Sequence, residues 1–219
     1  MALCNLSYSG NVEYSTHVQD YGWQAYQKNG SISGTTKKSK QVEAIKIRLI
    51  GEISQYYDVF YRVHCQDIGW MEWTANDRIA GTTGGSYKIE AIQIKLYPKN
   101  MQNPGISSKS AINFKKNNGY NVRYDANGKL YEDAQSLLGT RNTYVLRVNK
   151  ATNVVTVIVA NGEGTFNIAY KRFVCSTGKD TPPGTYYTPA KYRWKLLMGP
   201  SYGQYSTRIV GGILFHSVP

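Results

Sequence analysis

The sequence predicts a mainly β protein: small tandem β-modules followed by a longer β-rich segment with little helix. Three observations lead there. A block of about 47 residues occurs twice in succession. Each block closes on a run in which apolar and polar residues alternate, the period of a strand with one buried face. Tyrosine outnumbers phenylalanine 19 to 5, which suits strands and carbohydrate-facing surfaces because the ring joins a stacking face to a hydroxyl.

Residues 12–23 fall on residues 59–70 without a gap. His17 matches His64, Gln19 matches Gln66, Asp20 matches Asp67, and Gly22-Trp23 matches Gly69-Trp70. Further on, Ile32-Ser33-Gly34-Thr35-Thr36 matches Ile79-Ala80-Gly81-Thr82-Thr83, and residues 42–49 match residues 89–96. The repeats span 7–50 and 51–97. Residues 12–14 and 59–61 read as opening strands. The closing strand 44–49 places Ile45, Ile47 and Leu49 on one face and Lys46 and Arg48 on the other. Ile92, Ile94 and Leu96 repeat the apolar stripe, with Gln93 and Lys95 outward. Gly30, Gly34, Gly81 and Gly84-Gly85 mark turns. Each module is expected to bury one face against its neighbour.

The duplication sorts the histidines. A catalytic base repeated in two like scaffolds is a poor reading of His17 and His64, and a structural hydrogen bond accounts for them better. His216 is left outside the repeat. Each Gly-Trp pair is followed three residues later by another aromatic, Tyr26 or Trp73. Trp23, Tyr26, Trp70 and Trp73 are either the core of a small module or a platform on which sugar rings stack.

Residues 98–142 begin with a linker ending in Pro104-Gly105 and continue as a mixed segment, with a short helix expected over 133–138 before Gly139. Residues 143–219 are strand-rich. Runs 144–148 and 154–159 make a hairpin, and 166–174 is a third strand ending at Cys175. Ser176-Thr177-Gly178 reads as a polar turn with glycine at positive φ, or as part of a cleft. Pro182-Pro183-Gly184 turns into a strand over 192–198, and a last strand over 209–215 leads to His216-Ser217.

Composition bounds the rest. The formal net charge is +12, which favours polyanions such as nucleic acid, anionic lipid or phosphate-bearing wall polymers. No basic–aromatic module of the nucleic-acid-binding kind accompanies it, so nucleic acid is not expected. Hydrophobic residues make up 41% and mean hydropathy is −0.45, enough to build a core. No apolar run is long enough to span a membrane as a helix, and the first residues lack the pattern of a signal peptide. Cys4, Cys65 and Cys175 are too few and too dispersed for a disulfide framework or a zinc site. Cys175, at a strand end, is expected to be buried or disulfide-linked. No metal or cofactor is expected.

The strings His17-Val18-Gln19-Asp20-Tyr21-Gly22-Trp23, Ile32 to Thr36 and Val42-Glu43-Ala44-Ile45-Lys46-Ile47, with their second copies, resemble the clostridial hydrophobic repeat with conserved tryptophan. That resemblance implies a secreted, wall-associated protein whose repeats attach to a surface or recognise cell-wall glycan or an anionic wall polymer. The second half is similar to the L,D-transpeptidase catalytic domain. The matching pieces are the hairpin 144–159, Ser176-Thr177-Gly178-Lys179, the run from Thr181 to Thr188, and Ile213-Leu214-Phe215-His216-Ser217. This second resemblance implies cysteine acyl transfer on peptidoglycan stem peptides. His216 would be the general base toward the thiol, and Ser217 would orient the imidazole through its carbonyl. Ser176, Thr177 and Gly178 would line the donor cleft. The family's Ser/Thr-His-Gly-Cys motif does not occur in the chain, so it is expected to be a fragment without turnover. The other reading is a non-catalytic wall-binding, carbohydrate-binding or adhesion protein.

Overall fold

The computed structural model describes residues 8–117, 119–124, 130–131, 133–197 and 199–217. In chain order, the first repeat holds β1 (Asn11–Val18), β2 (Gly22–Trp23), β3 (Gln27–Lys28) and β4 (Val42–Ile50). A single helical turn, α1 (Ile53–Tyr56), leads to β5 (Tyr57–Cys65), β6 (Gly69–Trp70), β7 (Thr74–Ala75), β8 (Ala80–Thr83) and β9 (Ile89–Pro98). Then come β10 (Ala111–Asn117), β11 (Tyr120–Tyr124), β12 (Leu130–Tyr131), α2 (Gln135–Leu138), β13 (Val145–Asn149), β14 (Val154–Ala160) and β15 (Phe166–Val174). The last strands are β16 (Lys191–Leu196), β17 (Tyr202–Val210) and β18 (Ile213–Ser217). The protein is mainly β, as the sequence predicts.

The sequence repeat is also a backbone repeat. β1 pairs antiparallel with β4 so that Tyr14 faces Ile47, and β5 pairs with β9 so that Tyr61 faces Ile94. A bulge falls at the equivalent place in both, after His17 and after His64. Asp20 and Asp67, Asn29 and Asn76, and Ser39 and Ser86 all take positive φ. Matching side chains therefore specify matching turns.

The two copies differ in what happens after the second turn. Residues 33–36 of the first repeat carry no strand, whereas their equivalents form β8. β8 leaves its own repeat and adds to the edge of β4, with Ala44 opposite Gly81 and Ile45 opposite Ala80. β10 runs parallel along its other side. Glycine is required at position 81: φ is +112°, and an added Cβ would sit 2.8 Å from the Ala44 Cα. Gly81 is thus inside a strand, not at the turn expected from the sequence.

Apolar burial follows this joint. Ile47 and Leu49 pack in one core with Val59, Tyr61 and Val63 of β5, extended by Ile112, Phe114, Val159 and Ile168. The first closing strand buries its stripe as expected, with Ile47 2% exposed. The second does not. Ile92, Ile94 and Leu96 are 40%, 54% and 41% exposed, because β9 pairs with β5 on one side and with no described strand on the other.

The mixed segment holds a hairpin that the sequence reading did not find, β10–β11, turning through Gly119 at φ +84°. The expected hairpin forms as β13–β14, its turn held by Asn149 Oδ1, which accepts from Ala151 N at 3.0 Å and Thr152 N at 3.2 Å. β15 pairs with β14. Through β11 and β10 these strands share one sheet with β8, β4, β1 and β2. The short helix is present as α2, ending at Gly139 with φ +64°.

The chain divides into two compact units, one through Val174 and one from Cys175 onward. The second is a three-stranded antiparallel meander, β16–β17–β18. Residues 209–215 are not one strand as expected. Gly211 takes φ +53° and turns β17 back into β18.

Cys65 is fully buried and free, and burial pushes its thiol up to about 12. Cys175 is free and partly exposed, neither buried nor disulfide-linked; its strand ends before it. Cys4 lies outside the described residues. No helix among the described residues is long and apolar enough to cross a membrane.

Candidate functional site

Each repeat presents the same cluster on the face away from the core. The β1–β2 turn brings Trp23 opposite His17, and the β5–β6 turn brings Trp70 opposite His64. In both, imidazole and indole meet edge-on with centroids 5.5 Å apart. The closing strand supplies a carboxylate beyond the imidazole: Glu43 Oε2 lies 3.1 Å from His17 Nδ1, and Glu90 Oε2 lies 3.3 Å from His64 Nδ1. His17 Nδ1 is buried and makes no hydrogen bond in this geometry, so the structural hydrogen bond expected from the sequence is not formed at that atom. The imidazole braces the indole and is itself held by the acid.

Cations complete the cluster. Lys46 Nζ stands 4.5 Å above the Trp23 ring, and the Arg62 guanidinium lies 4.9 Å from both the Trp70 and Trp73 rings. Lys95 Nζ is 5.5 Å from Trp73. Such contacts hold the charge beside the aromatic surface. Among the described residues, none of these three cations is paired with a carboxylate. Trp70 is 45% exposed, and Trp23 and Trp73 are half-buried.

Tyr26 stands apart from the other three aromatics. Its hydroxyl donates to Asp77, and the Arg48 guanidinium covers its ring at 4.0 Å. Arg48 in turn bonds Glu13 at 2.7 Å and reaches Asp77 at 3.4 Å. Burial first, and then the bond to Asp77, push the Tyr26 hydroxyl up to about 12. Tyr26 therefore clamps the first repeat to the second.

An open cavity of about 320 Å³ adjoins the first cluster. His17 and the carboxylates of Asp20, Glu43 and Glu163 line it with Lys116, Asn121 and Asn167 of the following strands and Asn161 of the β14–β15 turn. The Asn167 Oδ1 is buried without a hydrogen-bond partner. Hydroxyl-rich or amide-bearing ligands match a lining of this kind.

In the second unit, His216 is exposed on β18. Its Nδ1 lies 3.2 Å from the carbonyl oxygen of Ser217, and the Ser217 hydroxyl donates to the Gln204 carbonyl at 3.1 Å. Both residues line a cavity of about 450 Å³ walled by Trp194, Leu197, Pro200 and Tyr202. Ser176, Thr177 and Gly178 do not line it. They form an irregular stretch in which the Gly178 carbonyl accepts from Thr181 N at 3.1 Å. Gly178 is not at the positive φ expected from the sequence, since a turn closed by that bond needs none. No three described His, Cys, Asp or Glu residues group closely enough to hold a metal ion.

Glu43, Glu90, Lys46, Arg62 and Lys95 were not singled out by the sequence reading as site residues. The signal existed for the acids, because Glu43 and Glu90 are matched in the repeat. For the cations it existed only at Lys95, which matches the basic Arg48; Lys46 matches Gln93, and Arg62 matches Ser15 and reaches the tryptophans from a neighbouring strand.

The family model for the clostridial hydrophobic W repeat matches residues 17–51 and 64–98. Two such repeats are present, and each matched span begins at the histidine of the cluster. No curated protein and no solved structure matches the chain. Nothing in these comparisons supports the transpeptidase resemblance of the second half.

Proposed function

We propose that this chain is a non-catalytic wall-binding protein whose repeats hold an anionic glycopolymer on their Trp–His–cation faces. Repeats of this type are wall-associated modules. The observation that carries the reading is the duplicated cluster: an indole braced by histidine and acid, with Lys46 or Arg62 beside it. Indole faces match the C–H faces of sugar rings. Lysine and arginine beside them match phosphate, and Arg62 can do so bidentately. The polar cavity at the first repeat suits hydroxyls of the same polymer. The net charge of +12 raises the local concentration of such a ligand.

The test is sedimentation with purified walls, before and after acid extraction of teichoic acid. Binding is expected to fall on extraction and with rising salt. Trp70→Ala and the pair Lys46→Glu with Arg62→Glu should each weaken binding about tenfold or more, with the circular dichroism spectrum unchanged. Folded variants that still pellet like the parent chain would remove the proposal.

A second reading, cysteine acyl transfer on stem peptides, is favoured by one observation: the exposed imidazole of His216 rests its Nδ1 against the Ser217 carbonyl beside an open cavity. That contact would leave Nε2 to take a proton from a thiol. Ser176, Thr177 and Gly178 would then contact the donor. The check is the gene beyond codon 219. This reading expects Ser/Thr-His-Gly-Cys within about 25 residues of His216, and a frame without it ends the reading.

A further inference from the structure

We propose that the chain associates head to tail with a second copy of itself. The first repeat of one copy would sit on the second repeat of the other as repeat 2 sits on repeat 1 within the chain. The inference is independent of the wall ligand.

The internal joint has three parts. Ile47 N donates to the Tyr61 hydroxyl at 3.0 Å, and the Ile47 carbonyl accepts from Asp77 N at 2.8 Å. β8 adds to the edge of β4. The stripe Ile47–Leu49 is covered by Val59, Tyr61 and Val63.

Repeat 2 carries the receiving half of this joint a second time, and no described strand occupies it. β9 is the counterpart of β4 and pairs with β5 in the register in which β4 pairs with β1. The Ile94 N–H and carbonyl therefore project from the free edge as those of Ile47 do from β4. Every residue from Glu90 to Leu96 is exposed. A long edge strand with an apolar stripe is a template for strand addition.

Repeat 1 carries the inserting half, open at Val12, with Tyr14 packed in part against the core and Thr16 buried beside Ser33. Val12, Tyr14 and Thr16 stand where Val59, Tyr61 and Val63 stand, yet Val12 is 37% exposed against 1% for Val59. The Tyr14 hydroxyl donates to the Ser31 carbonyl as Tyr61 donates to that of Arg78, leaving the same lone pair to receive an amide. Residues 33–36 match β8. Gly34 already holds φ +116°, against +112° at Gly81. At Gly81 the β4 backbone presses on the missing Cβ, whereas at Gly34 the nearest atom is Val42 Cγ2 at 3.5 Å. The slot is shaped and open.

The intermolecular register follows. The Ile94 amide bonds the partner's Tyr14 hydroxyl, the Ile94 carbonyl receives the partner's Gly30 amide, and Ala91 and Ile92 face the partner's Gly34 and Ser33. Asp77 becomes Gly30 in this register, so the clamp to Tyr26 and Arg48 has no counterpart. Both copies also carry +12. The intermolecular joint is accordingly weaker than the internal one and depends on concentration. It is heterologous and does not close, so assembly runs beyond a dimer.

The experiment is analytical ultracentrifugation of the whole chain from about 5 µM to about 500 µM. Mass is expected to rise past that of a dimer. Ile94→Asp removes the receiving half and Val12→Asp the inserting half, so each alone should stay monomeric. An equimolar mixture should give a 1:1 heterodimer and nothing larger, because each variant keeps the half that the other lacks. Amide exchange at Ile94 in the unaltered chain, which needs no variant, should slow as concentration rises. A monomer at every concentration with unchanged Ile94 exchange would overturn the proposal. So would a closed dimer, or assembly indifferent to Ile94→Asp.

Discussion

At Tyr61 a single hydroxyl joins the two repeats, donating to the Arg78 carbonyl and receiving the Ile47 amide. The ring is fully buried, so Tyr61→Phe leaves an interior N–H without a partner. The expected loss is about 1–3 kcal/mol, read as a lower urea midpoint with the slope unchanged. Tyr14→Phe, at the equivalent but more open position, should cost clearly less; equal losses would mean that the Ile47 amide is not what Tyr61 satisfies. Among the candidate site residues, the aromatic identities were legible because repetition marks them. The partners were not. Sequence spacing does not say that Tyr26 is bound to Asp77, 51 residues away, or that Arg62 lies over Trp70 and Trp73.

Between elements, the decisive event is the departure of β8 from its own repeat. The strings at 32–36 and 79–83 are close to identical, yet one is irregular and the other is a strand. Local propensity cannot separate them. The difference lies in whether a neighbouring edge is available, which for β8 is β4 on one side and β10 on the other. The same reasoning explains β9. Its alternation predicts a buried stripe as strongly as that of β4 does, but burial requires a further module on top of it. The β10–β11 hairpin was missed for a local reason. Lys115, Lys116 and Asn117 blur the alternation of β10, although Asn118-Gly119 is a good hairpin turn signal.

For the whole molecule, several buried hydroxyls and one thiol share a direction of titration. Burial first of all raises Tyr26 and Tyr87 to about 12, Tyr61 further, and Cys65 to about 12. Each folded value lies above the ordinary one of 10.0 for tyrosine or 9.0 for cysteine, so the fold binds these protons more tightly than the unfolded chain does. Their contribution is complete below about pH 9 and is lost as pH rises through the folded values. Thermal unfolding followed by circular dichroism should therefore show a transition temperature that falls steeply between about pH 9 and pH 12. A temperature unchanged at pH 11 would contradict the burial of these groups. Tyr87, which donates to the Ala160 carbonyl at 3.0 Å, extends the effect to the joint between the second repeat and β14.

What the sequence by itself determined is whatever repeats or alternates: the mainly β class, the two modules, most of their turns, the β13–β14 hairpin and the paired histidines and tryptophans. These depend on a residue and its near neighbours, through strand period, positive-φ turns and matched side chains. The tertiary structure alone decided which edges pair, which apolar stripe is covered, which cation lies over which indole, and that the chain divides at Val174. Those depend on groups brought together from distant positions, where one edge or face is satisfied only if another segment reaches it.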